Sequence, residues 1–100
     1  MGASLGGSSS KAFRILQEQK NKAENVTRRA VELIKSERML EVRQLYKSRW
    51  SDLADLRTNI AFDNELTSGD KANIDKVLRA EQESITEILA KYERLYGPGK

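Results

Sequence analysis

Residues 63–70, DNELTSGD, form a polar stretch with one glycine between two long segments that contain no strong helix breaker. Neither glycine nor proline occurs from Lys11 to Phe62. Glycine and proline are the residues that most strongly interrupt regular structure, and clustered polar residues with glycine are typical of turns. The stretch therefore predicts a turn that joins two helices.

The second helix has clear signals at both ends. Asp70 is a good N-cap residue, because its side chain can accept a hydrogen bond from an amide of the first turn. At the other end Gly97 suits the position just after a helix, and Pro98 prevents its continuation. We therefore expect this helix to run from about residue 71 to Tyr96, followed by a short C-terminal tail, residues 97–100.

The apolar positions on the two sides of the turn follow the same spacing of four and three residues, which is typical of a coiled-coil seam. The seam residues are Met39, Val42, Tyr46, Leu53, Leu56 and Ile60 before the turn, and Ile74, Leu78, Ile85, Ile88, Tyr92 and Leu95 after it. Arg49 and Glu81 interrupt the seam in adjacent layers, so they are predicted to form an ion pair that fixes the register. The pattern predicts an all-α fold built on a long, coiled-coil-like antiparallel helical hairpin over residues 39–96.

A second apolar stripe lies in residues 11–38, which we expect to form a basic helical arm. The hairpin seam cannot cover this stripe, because it points in a different direction around the helix. Its candidate partner-binding residues are Val26, Ala30, Leu33 and Ile34, with Arg28, Arg29, Lys35 and Arg38 beside them. The interpretation that we favour is docking on another protein or a second copy, and the alternative is a fold-back that closes a three-helix bundle.

Charge is divided unevenly along the chain. Residues 1–49 contain eleven basic and five acidic side chains, a net charge of +6, whereas residues 50–100 contain seven basic and ten acidic ones, a net charge of −3. Such an asymmetry favours a basic arm that meets an acidic surface. We therefore expect a protein partner with an acidic or apolar groove, or self-association into an oligomer.

The composition argues against an enzyme. The chain has no cysteine and no histidine, so thiolate chemistry, the commonest general base and the commonest metal ligand are absent. No phosphate-binding loop, nucleophile elbow, zinc-protease motif or calcium loop occurs in the sequence. We expect no catalytic residues, no metal site and no cofactor.

The N-terminus leaves targeting alternatives open. Residues 1–10, MGASLGGSSS, are uncharged and rich in serine and glycine, which predicts a disordered tail. Gly2 is a candidate for N-myristoylation, which together with Lys11, Arg14, Lys20 and Lys22 would make a peripheral membrane adaptor. Without a secretory signal we expect an intracellular, cytoplasmic protein; the alternative is mitochondrial, because residues 1–17 are serine-rich, basic and free of acid.

The function that the sequence favours is a non-enzymatic interaction or scaffold subunit. It would dock its basic amphipathic helix on a partner protein or assembly, such as a cytoskeletal or other multi-subunit complex. Nucleic-acid binding is a further alternative, but the basic residues alternate with glutamates instead of forming a dense block. Trp50, the only tryptophan, is predicted either to cover the flank of the core or to anchor a partner.

Overall fold

The computed structural model describes residues 3–97, with side chains from Ser10 onward, and these residues form three helices. The helices are α1 (Ala3–Lys35), α2 (Met39–Ala61) and α3 (Ser68–Tyr96). α2 packs most extensively against α3, and α1 packs against both. The described chain is therefore all-α, and α1 closes the predicted hairpin into a three-helix bundle.

The bundle is a rod. Its principal extents are 52 × 22 × 15 Å, and its radius of gyration is 16.2 Å, whereas a compact domain of this length has about 13 Å. Since α2 runs antiparallel to α1 and α3, the last turns of α1 and α3 lie at the same end of the rod. A thin rod has a large surface for its volume, which suits contacts along its sides.

The turn between α1 and α2 folds the basic arm back on the hairpin, an arrangement that the sequence analysis treated as the alternative. The N–H of Arg38 donates to the carbonyl of Leu33 at 2.9 Å, and that of Glu37 donates to the carbonyl of Ile34 at 2.9 Å. Glu37 has a φ of 59°. These two bonds, together with the left-handed backbone of Glu37, make a Schellman motif, a common end of a helix.

The turn before α3 begins and ends earlier than the sequence indicated. The N-cap is Thr67, whose Oγ1 accepts a hydrogen bond from the backbone N–H of Asp70 at 3.0 Å. Asp70 therefore lies in the first turn of α3, where an acidic side chain complements the helix dipole. At its other end the helix stops at Tyr96, and Gly97 adopts a φ of 89°, as the glycine and proline there predict.

The main core lies toward the end of the rod that holds the α2–α3 turn. Leu53, Ile74 and Leu78 are fully buried there. They form a cluster with Ala12, Ile60, Leu66 and Ile85. Each buried aliphatic side chain contributes about 1.5–3 kcal/mol, so this cluster supplies much of the stability of the bundle.

Two predicted seam residues of α3 are not in the core. Ile88 is 37% exposed and Leu95 is 75% exposed. They continue a strict seven-residue repeat from Ile74, and such a repeat drifts by about 20° per heptad around a straight helix. The drift carries them to the side of α3, while the other row of the predicted seam, Leu78, Ile85 and Tyr92, stays buried.

The predicted disordered tail overlaps the first helix. The backbone of α1 is helical from Ala3, although residues 1–10 include Gly6 and Gly7. Extending a helix that is already packed adds a hydrogen bond per residue without a new nucleation step, which accounts for the longer helix. Residues 1–2 and the end of the predicted C-terminal tail, residues 98–100, lie outside the described residues.

Candidate protein-interaction site

The apolar stripe that the sequence assigned to a partner groove is largely turned inward. Ala30 and Leu33 retain only 2% and 3% of their accessible surface, and Val26 is half-buried. These side chains pack within the bundle and cannot enter a groove of another molecule without unfolding of α1. For Ala30 and Leu33, the expectation of direct partner contact is therefore corrected.

The remaining candidate residues of the arm are exposed. Ile34 is 50% exposed, and the four basic residues beside it also face solvent. Arg29 and Arg38 each form an ion pair with a residue three positions further along the chain, Glu32 and Glu41 respectively. Among the described residues Arg28 bonds only to the amide oxygen of Asn25, at 2.8 Å, and Lys35 forms no ion pair.

A flank of α3 that faces away from α2 also exposes apolar side chains. The flank of α3 that faces α2 carries Asp75 and Gln82, which accept hydrogen bonds from Arg57 of α2 at 2.7 and 2.8 Å. At about 100° per residue, Ile88 and Leu95 lie on the other side, next to α1. These two residues are therefore exposed at the edge between α1 and α3.

The matching flank of α1 continues this surface. Lys11 lies on the flank nearest α2, because it pairs with Asp63 just after that helix, at 2.8 Å. Val31 and Ile34 lie on the opposite flank by helical phase, and they are 45% and 50% exposed. We define the apolar α1–α3 face by four residues: Val31, Ile34, Ile88 and Leu95.

The charged helical residues that border this face are basic. Within the helices, the charged residues three or four positions from a member of the face are Arg28, Lys35 and Lys91. All three are exposed, and none has an ion-pair partner in the described part of the chain. The face is therefore an apolar strip with a basic border.

Arg49 forms a polar layer in the middle of the rod. Its side chain is 4% exposed, and its guanidinium donates to both carboxylate oxygens of Glu81, at 2.8 and 2.9 Å. The same group donates to the side-chain oxygen of Gln19 at 3.0 Å and to the backbone carbonyl of Gln19 at 3.3 Å. The structure thus brings together the two residues expected to fix the register, and it adds α1 to the network.

Sequence reasoning missed two buried glutamines: Gln19 of this layer, and Gln82, which bonds to Arg57 and to the backbone carbonyl of Trp50. Gln19 is 6% exposed and Gln82 is 4% exposed. Each stands four residues from an apolar core position on its helix, Ile15 or Leu78. A polar amide at an apolar position of a helix signals a buried hydrogen-bond network, and this signal was present in the sequence.

A groove between α2 and α3 runs along the side of the rod that α1 does not cover. It has a volume of about 350 Å³ and is lined by Lys47, Trp50, Ser51, Thr86, Leu89, Ala90 and Glu93. A second depression of about 420 Å³ continues it past Trp50 toward Phe62. Trp50 lies between the two and is 39% exposed.

The shifted pKa values belong to ion pairs that tie the elements together. Hydrogen bonds from Lys11 hold the pKa of Asp63 below its usual range, and the pKa of Lys11 is correspondingly raised. Hydrogen bonds from Arg57 similarly lower the pKa of Asp75. Burial raises the pKa of the Tyr46 phenol. Asp63 and Asp75, whose pKa values are lowered, stay charged near neutral pH. A structural ion pair needs its carboxylate in this charged state.

The residues proposed for membrane attachment do not form one patch. Lys11 is engaged by Asp63 and Glu65. Steps of six and two residues between Arg14, Lys20 and Lys22 place these three on different sides of α1. None of the three helices, over the residues described, combines the length and the apolar character of a bilayer-spanning segment. Gly2 lies outside the described residues.

Residues 3–97 contain no cluster of three or more side chains suited to hold a metal ion. Comparison with known proteins adds no assignment: no protein-family model, no curated protein and no solved structure matches the chain.

Proposed function

We propose that this protein is a non-enzymatic helical scaffold subunit that binds an acidic amphipathic helix of a partner protein through the apolar α1–α3 face. The observation that carries this proposal is the convergence of exposed apolar side chains from two helices at one edge of the rod. Single exposed apolar residues are common on protein surfaces, but contiguous patches bordered by polar groups mark interaction sites.

The geometry of the face favours a helix as the occupant. Val31 and Ile34 are three residues apart on α1, and Ile88 and Leu95 are seven apart on α3. These spacings place one row of apolar side chains along each of the two neighbouring helices. An amphipathic helix would lay its own apolar stripe between these rows.

The border of the face sets the charge of the partner. Arg28, Lys35 and Lys91 present three positive charges, and none of them forms an ion pair within the described residues. Opposite charges across an interface raise the association rate and select among partners, more than they raise affinity. A helix with glutamates beside its apolar stripe fits this border.

The proposal keeps the basic arm as the interaction element but changes which of its residues make contact. The buried residues Ala30 and Leu33 hold α1 on the bundle, and their neighbours Val31 and Ile34 meet the partner. Arg28 and Lys35 retain the predicted role of selecting an acidic surface.

A synthetic peptide provides the probe. It would carry leucines at coiled-coil spacing with glutamates on both borders, and a second peptide would replace each glutamate by lysine. Fluorescence anisotropy of the labelled peptides measures binding to the full chain. We expect the acidic peptide to bind and the basic one to bind about tenfold more weakly or not at all.

Substitutions on the chain locate the binding site. Replacing Ile34 and Leu95 by serine should weaken acidic-peptide binding by about tenfold or more, while stability changes little because both side chains are exposed. Phe62→Ser is the matched control, since Phe62 is 79% exposed at the opposite end of the rod. Equal binding by the double variant and the control, or equal binding of both peptides, contradicts the proposal.

A further inference from the structure

The edge between α1 and α3 exposes a further pair of apolar side chains, toward the opposite end of the rod from the apolar α1–α3 face. Phe13 of α1 is 68% exposed and Val77 of α3 is 49% exposed. Phe13 lies eighteen residues before Val31, and Val77 lies eighteen residues before Leu95. Eighteen residues make about five turns of an α-helix, so each member of the pair lies on the same side of its helix as a residue of that face.

Phe13 and Val77 also lie at nearly the same level of the rod. The guanidinium of Arg49 donates hydrogen bonds to the side-chain oxygens of Gln19 on α1 and Glu81 on α3, so these two residues mark one level. Phe13 comes six residues before Gln19, and Val77 comes four before Glu81. Since α1 and α3 run in the same direction, the difference is about 3 Å along the rod. The two side chains therefore form one patch, which we name the Phe13–Val77 patch.

A shallow depression lies between this patch and the apolar α1–α3 face. It has a volume of about 370 Å³ and is lined by Lys20, Ala23, Glu24, Thr27 and Arg28. By helical phase Ala23 and Thr27 lie on the side of α1 next to α3, and small side chains at a contact let two helices approach closely. Lys20 and Glu24 carry opposite charges, so together they add no net charge to the middle of the edge.

The basic border of the apolar α1–α3 face is not repeated at the Phe13–Val77 patch. Of the helical residues three or four positions from either member of the patch, only Glu81 is charged. Its carboxylate already accepts two hydrogen bonds from Arg49. Within the described helices, the edge is therefore basic at the end where α1 and α3 finish and without a charged border at the other end.

This difference determines the direction of a helix that lies along the edge. The carboxylates of such a helix meet the basic end. Acidic side chains stabilise a helix in its first turns and destabilise it in its last, because of the helix dipole. An acidic helix therefore fits best with its N-terminus at the end where α1 and α3 finish. It then runs antiparallel to both, as neighbouring helices do in an up-and-down four-helix bundle.

We infer that the partner helix runs along the whole α1–α3 edge, antiparallel to α1 and α3. Its acidic N-terminal half lies on the apolar α1–α3 face, and its uncharged, apolar C-terminal half lies on the Phe13–Val77 patch. The inference rests on the proposed function and specifies the length, the charge pattern and the direction of the partner. The eighteen residues from Val77 to Leu95 span about 27 Å, so the partner helix needs at least five turns.

Two synthetic peptides of about 22 residues, six turns of helix, test the length of the site. The first carries leucines at coiled-coil spacing throughout, with glutamates beside them in the N-terminal half and glutamines beside them in the C-terminal half. The second replaces the leucines of the C-terminal half by glutamine, so its apolar side chains reach only the apolar α1–α3 face. Fluorescence anisotropy with the full chain should show the first peptide binding about tenfold more tightly than the second.

Substitutions on the chain locate the additional contact. Phe13→Ser combined with Val77→Ser should weaken binding of the first peptide by about tenfold and leave binding of the second unchanged. The matched control is Leu40→Ser combined with Phe62→Ser, which removes two exposed apolar side chains that lie away from the edge. Melts followed by circular dichroism check that both double variants are folded, and the comparison of the two peptides on the unaltered chain does not depend on any variant.

A nitroxide label on the N-terminus of the first peptide tests the direction. It should broaden the amide NMR signals around Leu95 and leave those around Val77 sharp, and the reverse pattern overturns the inferred direction. A first peptide that binds no more tightly than the second overturns the inference and leaves the proposed function intact. So does a loss of binding that is equal in the Phe13–Val77 variant and in the control. Binding by neither peptide overturns both.

Discussion

Replacing Arg49 alone by methionine should destabilise the bundle more than replacing Arg49, Glu81 and Gln19 together by apolar residues. Methionine keeps most of the apolar stem and removes every donor of the guanidinium. The substitution leaves two side-chain acceptors without their partner, the carboxylate of Glu81 and the amide oxygen of Gln19. It also removes the second hydrogen bond to the backbone carbonyl of Gln19, which keeps its bond within α1. The damage therefore comes from the groups left behind, more than from the loss of the pair itself.

The burial of these groups determines how much stability the Arg49→Met variant loses. Breaking a buried ion pair by removing one partner costs about 3–5 kcal/mol. The side chain of Glu81 is 22% exposed and can turn toward water, which places the cost near the lower limit, at about 3 kcal/mol. Adding Glu81→Leu removes the orphaned carboxylate and should recover part of that loss. Adding Gln19→Leu as well removes the last unpaired amide, so the triple variant should come close to or exceed the original stability.

Urea unfolding followed by far-ultraviolet circular dichroism measures these free energies without relying on the nearby tryptophan. A loss of about 3 kcal/mol also lowers Tm by about 12–24 °C in a domain of this size. The expected order is non-monotonic, with the single variant Arg49→Met the least stable of the three. If stability falls further with Glu81→Leu and again with Gln19→Leu, the reasoning about orphaned polar groups is refuted.

Two further expectations concern the arm and the ion pairs. Leu33→Asp should cost about 3 kcal/mol or more of folding stability at every protein concentration, because it buries an unpaired charge. Ile34→Asp should cost less than about 1 kcal/mol, because Ile34 is exposed. Equal losses of stability in thermal melts of the two variants would mean that α1 is not packed as described. The lowered pKa of Asp75 means that its ionised form contributes stability above about pH 4, its value in the unfolded chain, and this contribution is lost as the pH falls below that. The urea midpoint should drop in acid, and Asp75→Asn should lower it at neutral pH and reduce the acid-dependent drop; an unchanged pH profile in that variant would contradict the role of the pair with Arg57.

The helical hairpin could be predicted because its signals are local. The polar stretch at 63–70 and the residues Gly97 and Pro98 mark helix ends by their own conformational preferences. The four-and-three spacing of apolar residues then predicts which side of each helix is buried. What failed was the assumption of a constant seven-residue seam, since the drift of the repeat around a straight helix moves Ile88 and Leu95 to the surface.

The fold-back of α1 could not be predicted from the same kind of signal. The position after α1 is occupied by Glu37, a residue that rarely adopts a positive φ, where a glycine is usual. The side chain there pays about 1–2 kcal/mol for its left-handed conformation. Burial of Ala30 and Leu33 against the hairpin outweighs this cost, and that burial depends on tertiary contacts that no local pattern records.

The candidate site was predicted in part, and for a related reason. The exposed basic residues beside Ile34 were identified from the sequence, and so was Trp50 as a residue to examine. Ile88 and Leu95 were assigned to the core, so their contribution to a surface could not be seen. Only the packing of α1 against α3 shows that the flanks of the two helices lie side by side.

The Schellman turn at Glu37 has a consequence for how the chain acquires its shape on the ribosome. Residues 11–61 are synthesised before α3 exists, and they contain no glycine or proline to stop a helix between them. At that stage the left-handed backbone conformation of Glu37 is unfavourable, because a residue with a side chain rarely adopts it. The burial of Leu33 that offsets this cost requires a complete hairpin, which does not yet exist. The nascent segment should therefore extend as one continuous helix, and the bend at residues 36–38 should form only when α3 emerges and gives α1 a surface to pack on.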